Sequence, residues 1–85
     1  MRHRAIQAFW TAYQRLPEHA QRLADRHFAL LQADPHHPSL HFKRVGRLWS
    51  VRVSQSYRAL AVETGGGDLI WFWIGSHADY DKMLR

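Results

Sequence analysis

Apolar residues in the first third of the chain recur with a helical period. Ile6, Phe9, Trp10, Tyr13 and Leu16 stand at i, i+3, i+4, i+7 and i+10, which places them on one stripe. Residues 1–4, ahead of this stripe, read as a short strand or a disordered start. Pro17 breaks the pattern and suits the first turn of a second helix, with Glu18 well placed at its positive end. Ala20, Leu23, Ala24, Phe28 and Leu31 form the second stripe. Asp34-Pro35 ends it, because the residue before a proline avoids the helical region. The two segments predict a helical hairpin with one apolar side.

From Leu40 the period shortens to two, and β-branched and aromatic residues dominate. Strands are predicted near 40–45, 48–54, 57–63 and 68–75. Ser54, Gln55 and Ser56 form a tight link, and "TGGGD" (64–68) supplies glycines that adopt positive φ. Links this short make neighbouring strands antiparallel. The closing "HADYDKML" reads as about two turns of helix, with Ser76 as N-cap and Asp79 three residues on. The expected fold class is α+β: an N-terminal helical hairpin packed on one face of a four-stranded antiparallel sheet, with a short C-terminal helix. The second sheet face is left to water or a ligand.

Length and composition narrow the field. The 85 residues suit one small domain over 1–85. Four Trp, four Phe and three Tyr supply bulky pieces for a modest core. Without cysteine there is no disulfide framework and no thiolate metal site. No segment approaches the roughly 20 apolar residues of a membrane span, and none resembles a signal peptide, so the expected setting is the cytoplasm. Twelve Lys+Arg against seven Asp+Glu give a net charge of +5. A small basic domain favours polyanionic partners: nucleic acid, the ribosome or an acidic protein. A basic surface that serves only solubility is the alternative.

Alternation then sorts the strand residues. Trp49, Val51 and Val53 turn toward the helices, and Ser50 and Arg52 toward the open face. With Ser54–Ser56 as a three-residue loop, Arg52 stands opposite Arg58. Two arginines so placed repel each other, unless an anion such as a phosphate sits between them. Splayed arginines without a ligand are the plainer alternative. His41 and Lys43 share a face of the first of these strands, with Phe42 and Arg44 on the other. His77 and Tyr80, three residues apart, both point from one side of the terminal helix, where they could lean over the basic strands. A solvent-facing His77 and a packing Tyr80 are the plainer readings. His36, His37, His41 and His77 invite a metal, but Pro38 keeps His37 and His41 off a shared helical turn, and no Cys or carboxylate completes a usual set. No metal and no cofactor are expected. Gly65–Gly67 lacks the Lys-Ser/Thr of a phosphate loop, and reads as a hairpin turn.

The segments "HPSLHFKRV" (37–45), "WSVRVSQSYRALAV" (49–62) and "IWFWIGSHADYDKML" (70–84) resemble the RelE/ParE superfamily of toxins from bacterial type II toxin–antitoxin systems. The resemblance extends over nearly the whole chain. It implies one of two activities on one fold: ribosome-dependent cleavage of mRNA, or inhibition of DNA gyrase. A catalytically inert, antitoxin-binding member is the third possibility. It also implies a cognate antitoxin as partner, with the ribosome and mRNA, or gyrase, as target. On the nuclease reading, Arg52 and Arg58 match basic strand positions that hold the scissile phosphate. Tyr80 matches a C-terminal tyrosine, and His77 a histidine that several relatives carry in a similar context. These four are the implied catalytic residues, with His41, Lys43, Arg44 and Arg47 as RNA-binding candidates; His41, which shares a strand face with Lys43, is the rival of His77 for the proton-transfer role. The chain departs from RelE in carrying Ser50 in place of a lysine, and in having no arginine at the start of its last segment. The implied chemistry is metal-free. A base takes the 2′-hydroxyl proton, cations stabilise the crowded phosphate, and an acid protonates the leaving oxygen. Imidazole serves either proton role near neutral pH. A phenol positions, donates or stacks more readily than it acts as a free base.

Overall fold

A computed structural model describes residues 2–84. In chain order the elements are β1 (His3–Ala5), α1 (Gln7–Gln14), α2 (Glu18–Ala33), a 3₁₀ turn (Pro38–Leu40), β2 (Lys43–Val45), β3 (Leu48–Arg52), β4 (Tyr57–Glu63), β5 (Leu69–Ser76) and α3 (His77–Met83). The helical hairpin and the four expected strands are all present. The strands expected at 40–45, 48–54 and 68–75 run instead over Lys43–Val45, Leu48–Arg52 and Leu69–Ser76.

The sheet has five strands rather than four, in the order β1-β5-β4-β3-β2. The added strand is β1, which runs parallel to β5 and pairs His3 with Leu69 and Ala5 with Trp71. The sheet is therefore mixed, not purely antiparallel. Three residues are too few to show a period, so the strand state of β1 comes from its partner rather than from its own pattern. Of the ambiguous start, Met1 lies outside the described residues. The remaining pairs are antiparallel.

One face of the sheet carries the main core. Val51, Val53, Ala59, Ala61, Trp71 and Ile74 are buried there, with Ala24 and Leu31 of α2 against them. Phe9, Tyr13 and Leu16 of the α1 stripe pack at its margin, while Ile6, Trp10 and Phe28 remain exposed. Helix α1 lies along β5 and turns Phe9 and Tyr13, rather than Trp10, toward the core.

Two irregularities shape the second face. The β4–β5 register slips between Leu60, opposite Trp73, and Ala61, opposite Trp71. Phe72 is the extra residue of this bulge, so Trp71 and Ile74 both reach the core although three positions apart. Trp73 is consequently turned to the opposite side, with Leu60. The middle of that side is also not open. Helix α3 covers it, leaving Leu60 0% and Ser50 2% exposed beneath Tyr80, itself 8% exposed. Ser50, expected toward solvent, is thus a buried hydroxyl, and its oxygen shares a hydrogen bond of 2.9 Å with the Tyr80 hydroxyl. Among the described residues no helix is long and apolar enough to cross a membrane.

Candidate functional site

The site begins at the β3–β4 hairpin. The Val53 amide donates to the Tyr57 carbonyl at 3.1 Å, closing a Ser54–Ser56 connection and setting Arg52 directly opposite Arg58. Side chains of such a pair point to the same face, and each arginine is only partly exposed. The Arg58 guanidinium donates to the Ser54 carbonyl, and at 2.9 Å to that of Tyr57, which holds its head at the hairpin. Burial, and next the charge of Arg52, lower the Arg58 pKa from its ordinary value, against the opposing pull of Tyr80 and Asp81. An anion bound between the two guanidiniums would relieve this repulsion.

His41 closes one flank. It sits at the end of the 3₁₀ turn with φ +44°, in the left-handed region. It is not part of a strand, contrary to the alternation reading, yet its Nε2 stands 3.3 Å from Arg52 Nη1. An arginine only donates, so this contact requires an unprotonated Nε2 on His41. Lys43 lies on the same face as Arg52, opposite Ser50 in the β2–β3 ladder.

Helix α3 closes the other flank. Ser76 caps it, accepting from the Asp79 amide at 3.1 Å. The His77 amide donates to the Ser56 carbonyl at 2.7 Å, so the helix start is tied to the hairpin that bears Arg58. His77 is exposed, with its ring stacked 6.0 Å from that of Tyr80 and its Nε2 3.6 Å from an Asp81 oxygen. Tyr80 points into the sheet. Its hydroxyl is engaged by Ser50, and it anchors the helix.

Six of the eight residues singled out from the sequence thus gather at one end of one face: His41, Lys43, Arg52, Arg58, His77 and Tyr80. Arg44 and Arg47 do not. Arg44 pairs with Trp49 across the ladder and lies over its indole, 5.6 Å from the ring centroid, on the core side of the sheet. Arg47 is in the β2–β3 turn, five residues along β3 from Arg52, or roughly 16 Å at the usual strand rise. Sequence reasoning missed Asp81 as the partner of His77, although the i, i+4 spacing was there to read. It also missed Ser50 as the partner of Tyr80, which no local pattern signals. Among the described residues no three His, Cys, Asp or Glu side chains gather as a metal site.

A helical hairpin thus lies on one side of the sheet and the paired arginines on the other. Residues 18–82 match the family described as the ParE-like toxin domain. The chain belongs to that family, and with it to the RelE/ParE toxins of toxin–antitoxin systems. No curated protein matches the chain significantly. Among solved structures, a chain of the RelB–RelE antitoxin–toxin complex of Methanococcus jannaschii superposes with a TM-score of 0.72 at 13% identity, over 96% of this chain and 99% of that one. The YoeB/ParE toxin of Agrobacterium tumefaciens gives 0.67 at 16% identity, over 91% and 99%. The isolated Escherichia coli RelE toxin gives 0.62 at 8% identity, over 99% and 98%. Identities this low speak to the shared fold alone.

Proposed function

We propose that this toxin cleaves mRNA on the ribosome, with the scissile phosphate held between Arg52 and Arg58. The observation that carries the reading is the cross-strand register of the two arginines, with His41 3.3 Å from the first. Two fixed cations side by side suit the non-bridging oxygens of a phosphodiester and stabilise its extra charge in the transition state. His41, unprotonated on the side facing Arg52, takes the proton of the 2′-hydroxyl. The 2′-oxygen attacks phosphorus, the bond to the 5′-oxygen breaks, and protonated His77 gives its proton to that leaving oxygen. The products are a 2′,3′-cyclic phosphate and a 5′-hydroxyl end. Asp81, 3.6 Å from His77 Nε2, stands beside the imidazole. Tyr80 acts by position, holding α3 to Ser50.

The partner on this reading is a cognate antitoxin that masks the basic face. Structural neighbours from M. jannaschii and Pyrococcus horikoshii were solved as RelB–RelE complexes, and the net charge of +5 favours an acidic segment. A second reading, inhibition of DNA gyrase without cleavage, is favoured by the ParE-like description of the matching family and by the engaged Tyr80 hydroxyl. Induction in growing cells separates them. The nuclease reading expects translation to stop first, with new 5′ ends inside translated mRNA. Arrest of replication with intact mRNA would instead establish the gyrase reading.

A further inference from the structure

Beside the paired arginines the sheet ends in a cleft that the proposed mechanism does not use. It has a volume of about 320 Å³ and runs round the edge of β5, between the α1–α2 corner at Arg15 to Pro17 and the segment from Trp73 to Asp79. That volume is within the range of small-ligand sites. Beyond Trp71 the edge of β5 extends past its pairing with β1.

Trp73 forms a wall of this cleft, and two features of the chain put it there. The bulge at Phe72 turns Trp73 to the α3 side, away from the core that simple alternation would give it. Gly75 then lets the indole lie flat on the backbone: a Cβ at Gly75 would stand 2.5 Å from Cζ2 of Trp73. Gly75 is also the register partner of Arg58. The indole therefore packs beside the arginine pair, one strand over. From the middle of the β3–β4 pair to β5 is roughly 7 Å at the usual strand spacing, about one nucleotide step along an extended single strand. A large aromatic ring displaced from the core, one such step from a phosphate clamp, is the arrangement that unpaired bases stack upon.

We propose that the Trp73 cleft receives the nucleobase next to the cleaved phosphate, stacked on the indole. This rests on the RNA reading of the arginine pair and adds the base-binding half of the site. Stacking of one base on an aromatic side chain is worth about tenfold in binding or more.

The test is single-turnover cleavage of ribosome-bound mRNA that carries an abasic residue on one side of the cut or the other. With wild-type protein, one of the two abasic substrates should be cut about tenfold more slowly or worse. Trp73→Leu should slow the intact substrate by a similar factor and show no further loss on the abasic one. Trp73→Phe should keep most of the wild-type rate and the wild-type dependence on the base. Wild-type indifference to both abasic substrates overturns the base cleft without any variant, while loss of cleavage in Arg52→Ala would leave the phosphate clamp standing. Additive losses in Trp73→Leu and the abasic substrate also overturn it, and leave Trp73 a packing role only. No cleavage by wild-type protein at any position removes the clamp and the cleft together.

Discussion

The four groups assigned to chemistry were legible to different degrees. Arg52 and Arg58 follow from counting alone: a three-residue link between alternating strands leaves one register, and the structure has it. His41 does not follow, since its approach to Arg52 depends on a left-handed residue closing the 3₁₀ turn. Strand alternation put it on the right side for the wrong reason. His77 was readable as exposed on α3, and its pairing with Asp81 follows from helical spacing. The proposed roles have opposite consequences for pH. His41 must be unprotonated to act as base, and His77 protonated to act as acid. Single-turnover cleavage against pH should therefore be bell-shaped. His41→Ala should flatten the limb that rises from acid, and His77→Ala the limb that falls toward alkali. Each should cost about 10²–10⁴-fold at the optimum. If His77→Ala flattens the acid limb, the two roles are exchanged.

At the scale of elements, pattern reading succeeded where an element has a period and failed where a partner decides. Helices α1 and α2 and strands β3 to β5 all carry a period and were found. Strand β1 is three residues long and is defined by β5, and the bulge at Phe72 breaks the period it would be read from. The covering of the second face by α3 was equally invisible, because the contacts that seat it, His77 to Ser56 and Ser50 to Tyr80, join residues far apart in sequence. The second contact makes a prediction. Tyr80→Phe keeps the ring and loses one hydrogen bond, so urea denaturation should show a loss of about 1 kcal/mol, with cleavage largely kept. Tyr80→Ala empties the space over Leu60 and should cost about 3–5 kcal/mol. Loss of cleavage in Tyr80→Phe at intact stability would return the hydroxyl to the chemistry. The β1–β5 junction makes another. His3 Nδ1 accepts from the Trp71 indole N–H at 3.0 Å, and burial holds the His3 pKa below its ordinary 6.5. The unfolded chain therefore takes up this proton at higher pH than the folded one. The stability that neutral His3 contributes is present above about pH 6.5 and is lost as the pH falls below it. Thermal melts of His3→Phe should show a weaker acid-side decline than wild type, and identical declines would remove His3 as its source.

For the whole molecule, charge and topology act together. Helices α1 and α2 and the main core occupy one side of the sheet, and α3 covers the middle of the other. The other side presents Lys43, Arg52 and Arg58 between two flanking histidines, on a chain of net charge +5. The composition left a polyanion partner as one expectation, and on the proposed reading this is the face that would meet it. Arg44 and Arg47 contribute to that charge but stand on the core side and at the distant turn, which is why a count of cations could not delimit the site. The central claim is that the paired arginines hold a phosphate that is cut. It is tested most directly by incubating wild-type protein, Arg52→Ala and Arg58→Ala with mRNA-programmed ribosomes and mapping the RNA ends. Wild type should give discrete cuts within the message. Each variant, folded to a similar melting temperature, should cut at least about a hundredfold more slowly, the usual cost of losing one transition-state contact. Wild-type rates from both variants, or an intact message with wild-type protein, would contradict it.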